Sequence, residues 1–373
     1  MPGPGPTSAK ERLHALDAIR GVAILGVLVA YTVWSLGNPP RSEWTALDRA
    51  VERGMDLFVD NKFLSLFAFL FGLGIAQQWR RWEAAGVDPR PLHLRRMGFL
   101  LFVGLLHAAL LRNGDILVPY ALMGLLMLAF RRVPSRWVAI AAAVLVLMPS
   151  IVGWAAPRLG VAWPSRPDLA EAGYVRENIA WVAYWYRTNP FLYWPRILAL
   201  MLGGLLAGRA RVIERLIADR RLTLRLFAMM FPLAVVTRLA LDRMPAASPA
   251  GDGSLLRAMV VEVVYQSASW SLAACYVTLI VLAVGVDPAA PRLAGVRSIG
   301  RMAFTNYLSQ SVIVVPLCLA FGLFDRVSPA AGLALAAGIG ALQAAFSVGW
   351  LRDRTMGPLE RVWRHATYGA GVR

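Results

Sequence analysis

Long apolar runs alternate along the chain with short segments rich in arginine. Ten runs reach or approach the roughly 20 residues that a helix needs to cross about 30 Å of hydrocarbon. They lie at 19–37, 55–77, 97–112, 116–130, 137–156, 195–208, 223–241, 256–285, 300–322 and 329–350. Only Asn113, Gly114 and Asp115 separate the third run from the fourth, which predicts a tight helical hairpin. The sixth run is short, and the eighth is long enough to tilt. The pattern therefore predicts an all-α fold, a polytopic membrane helical bundle of about ten transmembrane helices.

Composition agrees. The 373 residues are 58% hydrophobic and 16% charged, with a mean hydropathy of +0.54. A soluble domain carries about 25% charged residues, so this chain has too little polar surface to cover a water-soluble fold. The net charge of +17 first suggests nucleic acid. The basic residues lie between apolar runs instead of forming one stripe, so they read as topology signal and no nucleic-acid partner is expected. With the N-terminus in the cytoplasm, 25 of the 39 basic residues fall in inside segments, which places both termini inside.

The domain reading follows. Residues 1–18, Pro- and Gly-rich, form a disordered cytoplasmic N-terminus. No clean cleavage site follows the first run, so it is retained as a span. Residues 19–351 form a single transmembrane domain, and 352–373 a basic cytoplasmic tail. The one large loop, 157–195, packs Trp181, Tyr184, Trp185, Tyr186, Phe191, Tyr193 and Trp194 into a short stretch. That density suits the outer headgroup layer, as an interfacial helix or as a lid. Cys275 and Cys318 sit inside apolar runs with no metal-ligand spacing, so neither a disulfide nor a metal site is expected.

A charged group at mid-bilayer costs about 2.5–3.5 kcal/mol on insertion scales, so each one needs a partner, a wet cavity or a function. Toward the outside lie Asp56, Asp60, Lys62, His107, Asp115, Arg238, Glu262 and Gln266. Asp56 and Asp60 are four apart and are expected on one helix face. The expectation is one shared polar chamber. Toward the inside lie Asp17, Arg20, Arg95, Arg96, Arg297, Arg301, Asn306 and Gln310. These read either as helix-start ion pairs and interhelical hydrogen bonds, or as forked donors that hold an anionic group.

His107 is the one histidine inside an apolar run; His14, His93 and His365 lie in polar flanks. The chain contains no GxxxxGK[ST] loop, no HExxH and no GxSxG elbow. The glycines of "FGLGIA" have the spacing of a helix-packing contact.

Several segments together resemble the YeiB-like family of bacterial inner-membrane proteins, which has a C-terminal domain of unknown function, DUF418. They are "LDAIRGVAILGVLVAY" (16–31), "FVDNKFLSLFAFLFGLGIA" (58–76), "RRMGFLLFVGLLHAALLRNGDILVPYALMGLL" (95–126), "IGRMAFTNYLSQS" (299–311) and "GPLERVWR" (357–364). The first spans of that family resemble the heparan-glucosaminide acetyltransferases and, more distantly, bacterial membrane acyltransferases of surface sugars. The resemblance implies a multi-pass protein of the bacterial cytoplasmic membrane. It also implies transfer of an acyl group from acyl-CoA, as co-substrate with no bound cofactor, to a hydroxyl or amine of a small molecule or glycan.

Two departures stand out. Eleven residues after Arg20, where the sugar acyltransferases carry histidine, this chain has Tyr31. The segment 38–54, where the heparan-type relatives carry theirs, has none. His107 is left as the candidate base. Asp115 or Asp60 would orient it, and Lys62 or Arg238 would stabilise the oxyanion. Asp56, Arg238, Glu262 and Gln266 would line the acceptor site. Asp17, Arg20, Arg95, Arg96, Arg301, Asn306 and Gln310 would hold acyl-CoA. The rival readings are a proton-coupled transporter of a small polar metabolite and a non-catalytic membrane scaffold.

Overall fold

A computed structural model describes residues 14–161, 164, 173–244, 254–286 and 291–369. The chain runs α1 (His14–Trp34), α2 (Ala46–Phe58), α3 (Lys62–Ala84), α4 (Pro89–Leu110), α5 (Leu117–Met127), α6 (Ser135–Arg158), α7 (Tyr174–Leu192), α8 (Trp194–Arg209), α9 (Val212–Ala218), α10 (Arg220–Arg243), α11 (Leu255–Val286), α12 (Pro291–Arg301), α13 (Ala303–Phe321), α14 (Pro329–Asp353) and α15 (Pro358–Tyr368). No strand occurs among the described residues. The protein is an all-helical, multi-pass membrane protein.

Each of the ten apolar runs is helical for most of its length. Among the described residues, eight helical segments are long and apolar enough to cross a bilayer, and α7 with α8 makes a ninth if that bent pair is one span. The tenth, Leu117–Phe130, is shorter. The large apolar side chains left exposed include Phe102 on α4, Trp137 on α6, Met229 and Val236 on α10 and Phe321 on α13. Exposed apolar surface of that extent is what lipid covers.

Three boundaries depart from the apolar pattern. The run 55–77 is broken at 59–61, where Asn61 takes φ +63° and α2 gives way to α3. The run 300–322 is broken at Met302, between α12 and α13. The expected outer loop 157–195 contains α7, which meets α8 at a 58° bend. Residues 162–163 and 165–172 of that loop lie outside the described residues, as do 1–13 of the expected disordered N-terminus and 370–373 of the tail. The first helix begins at His14, five residues ahead of the apolar run.

The described chain falls into two compact units. The first comprises residues up to 67, with 216–224 and 276 onward. Here α1 packs on α12, α13 and α14. The α1–α12 crossing is closer than any side chain would allow. A Cβ on Gly300 would stand 1.8 Å from the Asp17 carbonyl oxygen, and one on Gly21 would stand 2.0 Å from that of Val296. Asp48 ties two helix starts together. Its Oδ2 accepts from the Thr45 amide (2.9 Å) and hydroxyl (2.7 Å) in a capping box, and its Oδ1 accepts from the Ala330 amide (3.0 Å) at the start of α14.

The second unit comprises residues 68–215 and 225–275. Here α4 packs on α5 and α7, and α8 packs on α5, α6 and α7. Gly72 of "FGLGIA" is a packing contact, as its spacing predicts: a Cβ there would meet the Met201 carbonyl at 2.1 Å. Gly74 faces open space. Arg209, at the end of α8, donates to the carbonyls of Phe130, Arg131 and Val133 and so closes the turn after α5.

Candidate functional site

In the second unit, α4 ends just past His107 and α5 begins just past Asp115. The Leu111 and Arg112 amides both donate to the His107 carbonyl, which turns the chain sharply after α4. The turn brings the His107 ring to Asp115, with Nδ1 2.7 Å from Oδ1. Both side chains are buried, at 2% and 0% exposure. The other carboxylate oxygen, Oδ2, accepts the Val118 amide at 2.8 Å. Asp115 thus serves as an acceptor at a helix N-terminus, where the backbone favours negative charge. A carboxylate in that setting takes the Nδ1 proton as a hydrogen bond, so the lone pair of the ring sits on Nε2. This is the arrangement that orients an imidazole as a base. The Tyr174 hydroxyl at the start of α7 donates to the Leu111 carbonyl and pins α7 to the end of α4.

Glu262 on α11 is held by Arg196 at the start of α8. Arg196 Nε donates to Oε1 (2.7 Å) and Nη2 to Oε2 (2.6 Å), a forked pair, and Gln266 Nε2 donates to Oε1 (2.8 Å). Arg196 is absent from the sequence-derived set, although it stands at the start of the sixth apolar run. Arg238 pairs along its own helix with Asp242 at 2.8 Å. The ionisable groups of this unit expected in one chamber are therefore bonded as the His107–Asp115 pair, the Arg196–Glu262–Gln266 cluster and the Arg238–Asp242 pair.

His93 overturns the reading from its polar neighbours. It is completely buried, with Nδ1 accepting from Trp79 Nε1 (3.2 Å) and Nε2 2.8 Å from the Gly124 carbonyl. Arg95 and Arg96 follow it on α4, the first exposed and the second half-buried.

In the first unit, Asp60 lies beyond the end of α2. It does not share a helix face with Asp56, because the helix stops at Phe58. Asp60 Oδ1 accepts from Trp34 Nε1 (2.9 Å), and the buried Lys62 ammonium donates to the Asp56 carbonyl. Asp17 pairs with Arg20 at 3.5 Å. Arg301 donates to the Thr355 carbonyl (3.1 Å). Asn306 donates to Ser347 Oγ (3.1 Å), and Gln343 donates to the Asn306 carbonyl (2.8 Å) and to Ser309 Oγ (2.7 Å). Gln310 reaches the Ile24 carbonyl at 3.4 Å. Asn306 and Gln310 thus join helices α1, α13 and α14 by buried hydrogen bonds.

Glu360 on α15 was not singled out in the sequence. Its carboxylate accepts the amides of Phe304 (2.8 Å) and Thr305 (3.1 Å) and the Thr305 hydroxyl (2.5 Å), capping α13. Burial pushes its pKa up, against the lowering effect of those hydrogen bonds.

Residues 207–370 match a family model described as "Protein of unknown function (DUF418)". The chain is also similar over nearly its full length to three curated proteins. It is 28% identical to "Uncharacterized protein YxaH" of Bacillus subtilis (strain 168), covering 97% of this chain and 96% of that one. It is 29% identical to an "Uncharacterized 39.9 kDa protein in amylase 3'region" of Bacillus acidopullulyticus, with the same coverage. It is 27% identical to "Uncharacterized protein YeiB" of Escherichia coli (strain K12), covering 96% of this chain and 97% of that one. The chain thus carries a DUF418 match over its C-terminal part and is similar over nearly its full length to YeiB-like proteins.

The DUF418 match begins near the end of α8 and runs through α15. It therefore includes Arg238, Glu262, Gln266, Arg301, Asn306, Gln310 and the Glu360 cap. The His107–Asp115 pair and Arg196 lie ahead of it.

Proposed function

We propose that this DUF418 protein is an acyl-CoA-dependent acyltransferase of the bacterial cytoplasmic membrane. Its acceptor is a hydroxyl or amine of a small molecule or glycan. The observation that carries the reading is the buried His107–Asp115 pair. A membrane protein gains little from sealing a histidine against a carboxylate fixed by a helix start, unless the ring must hold one tautomer. The likeness of the first spans to membrane acetyltransferases supplies the reaction class.

In this mechanism His107 Nε2 takes the proton of the acceptor as its oxygen or nitrogen attacks the thioester carbonyl. Asp115 holds the ring and stabilises the imidazolium. The C–S bond then breaks, and the leaving thiolate takes the proton back as free CoA thiol. Asn306 and Gln310 serve as helix-joining groups. Arg95 and Arg96, on α4 with His107, offer forked donors to the phosphates of CoA. The arginine bias supports a cytoplasmic placement of both termini and of these arginines.

The test uses the full chain in nanodiscs with radiolabelled acetyl-CoA and a panel of sugars, polyols and amines. The proposal expects acceptor-dependent release of CoA thiol that is lost in His107→Ala. No transfer to any acceptor, or an equal rate in His107→Ala, overturns it.

A further inference from the structure

Two arginine–tryptophan pairs frame the apolar face of α6. Its exposed side chains Trp137, Ile140, Val144 and Ile151 recur at helical spacing and so line one side of the helix. At the start of α6 the Arg136 guanidinium stands 5.7 Å from the centre of the Trp137 ring. Near its end Arg158 stands 4.3 Å from that of Trp154. At a rise of roughly 1.5 Å per residue the two tryptophans are about 25 Å apart along the axis, close to the thickness of the hydrocarbon layer. Tryptophan favours the headgroup level, so the pairs mark the two edges of the bilayer. The two ends differ. Arg158 turns back on its own helix and donates to the Trp154 carbonyl (2.7 Å). Arg136 and Arg132 are exposed, and neither side chain has a hydrogen-bond acceptor or a carboxylate partner among the described residues. The turn that carries Arg132 is fixed in shape, because Arg209 binds the carbonyls of Phe130, Arg131 and Val133. Arg131 in the same turn is neutralised by Glu83 (2.5 Å). Two uncompensated guanidinium groups therefore stand at headgroup depth, beside an exposed apolar stripe.

We propose that the start of α6 is a binding site for an anionic phospholipid of the adjoining leaflet, the cytoplasmic one by the arginine bias. The lipid phosphate accepts from the forked donors of Arg132 and Arg136. Its acyl chain runs down the stripe of Trp137, Ile140 and Val144. A zwitterionic lipid carries its own cation beside the phosphate and competes with the guanidinium groups, so the site selects a headgroup of net negative charge. The outer end of α6 lacks this selectivity, because Arg158 is already spent on the Trp154 carbonyl. The inference stands apart from the acyltransferase reading and uses none of its residues.

The test uses the full chain in nanodiscs of equimolar phosphatidylglycerol and phosphatidylcholine, with bromine near the headgroup of one lipid or of the other. Bromine quenches tryptophan on contact, and the Trp137 signal is the wild-type emission less that of Trp137→Phe. Each arginine near the surface favours an anionic lipid by about fivefold, so the two together favour it by about 30-fold. Brominated phosphatidylglycerol should therefore quench the Trp137 signal, and brominated phosphatidylcholine should nearly spare it. Equal quenching by the two lipids overturns the inference, and that comparison needs no arginine variant. The double variant Arg132→Gln with Arg136→Gln should make the two lipids quench alike; a preference that survives it also overturns the inference. Arg158→Gln should leave the preference as it is. Loss of the preference in that variant would mean attraction by overall charge instead of a site, and would overturn the inference too.

Discussion

The forked pair of Arg196 and Glu262 allows a stability test worked from the geometry alone. Glu262 is 8% exposed and takes two bonds from Arg196, at 2.7 and 2.6 Å, and one from Gln266. Arg196→Met removes the countercharge and leaves a buried carboxylate with only the amide. Breaking a buried pair from one side costs about 3–5 kcal/mol. Glu262→Leu should cost less, about 1–3 kcal/mol. The Arg196 side chain is 26% exposed and its long stem can carry the charge to a wetter place. Replacing both partners with apolar residues is close to neutral. The double variant should therefore be more stable than Arg196→Met alone. A double-mutant cycle by reversible unfolding of the full chain in detergent micelles reads this directly. A loss below about 1 kcal/mol in Arg196→Met, or simple addition of the two single losses, would refute the reasoning.

Three further outcomes follow from the first unit. Gly300→Ala sets a methyl 1.8 Å from the Asp17 carbonyl oxygen, so α1 and α12 must separate; a loss at or above the about 1–3 kcal/mol of ordinary overpacking is expected, read as a lowered thermal midpoint. Asp48→Ala removes the carboxylate half of the α2 capping box and leaves the Ala330 amide unpaired. A cap alone is worth about 0.5–2 kcal/mol, and amide exchange at Ala330 should rise with the loss. Glu360 has its pKa raised by burial from an ordinary value of 4.5, so the folded state favours the protonated form. Its contribution is complete below about that pH and is lost as pH rises through the folded value. Protection of α15 from proteolysis should therefore weaken with rising pH in the wild-type protein and stay flat in Glu360→Gln; protection that strengthens with pH would contradict this.

The architecture was legible where one physical constraint dominates. A lipid-crossing helix needs an unbroken apolar run and arginine marks its ends, so the ten runs emerged as helices. The break at 59–61 went unread although Asp60, Asn61 and Lys62 interrupt the run there: the charges were read as functional groups within one span, and Asn61, tolerant of positive φ, marked the backbone turn. The helix α7 was hidden among aromatics and an internal proline, Pro190, which read as loop. His107 was legible because a titratable ring stood out among leucines, and Asp115 because the hairpin turn returns it to the same end of α4. His93 was misjudged by its sequence neighbours, Arg95 and Arg96, although its ring points to Trp79 and Gly124. Arg196 shows the limit most clearly. Nothing local ties it to Glu262, 66 positions away, and only the fold reveals the pairing. The Asp48 cap could have been found, since Thr45-x-x-Asp48 carries the capping-box spacing.

The central claim is that Asp115 holds His107 in the tautomer that a base requires. Asp115→Asn tests it most directly. The amide can still accept the Val118 N–H, but it then turns its NH2 toward His107 Nδ1 and drives the ring proton to Nε2. The account predicts that acetyl transfer from acetyl-CoA falls by about 10⁴-fold, the scale of a wrong-tautomer triad, while the protein stays folded. Transfer at the wild-type rate in a folded Asp115→Asn protein would contradict it.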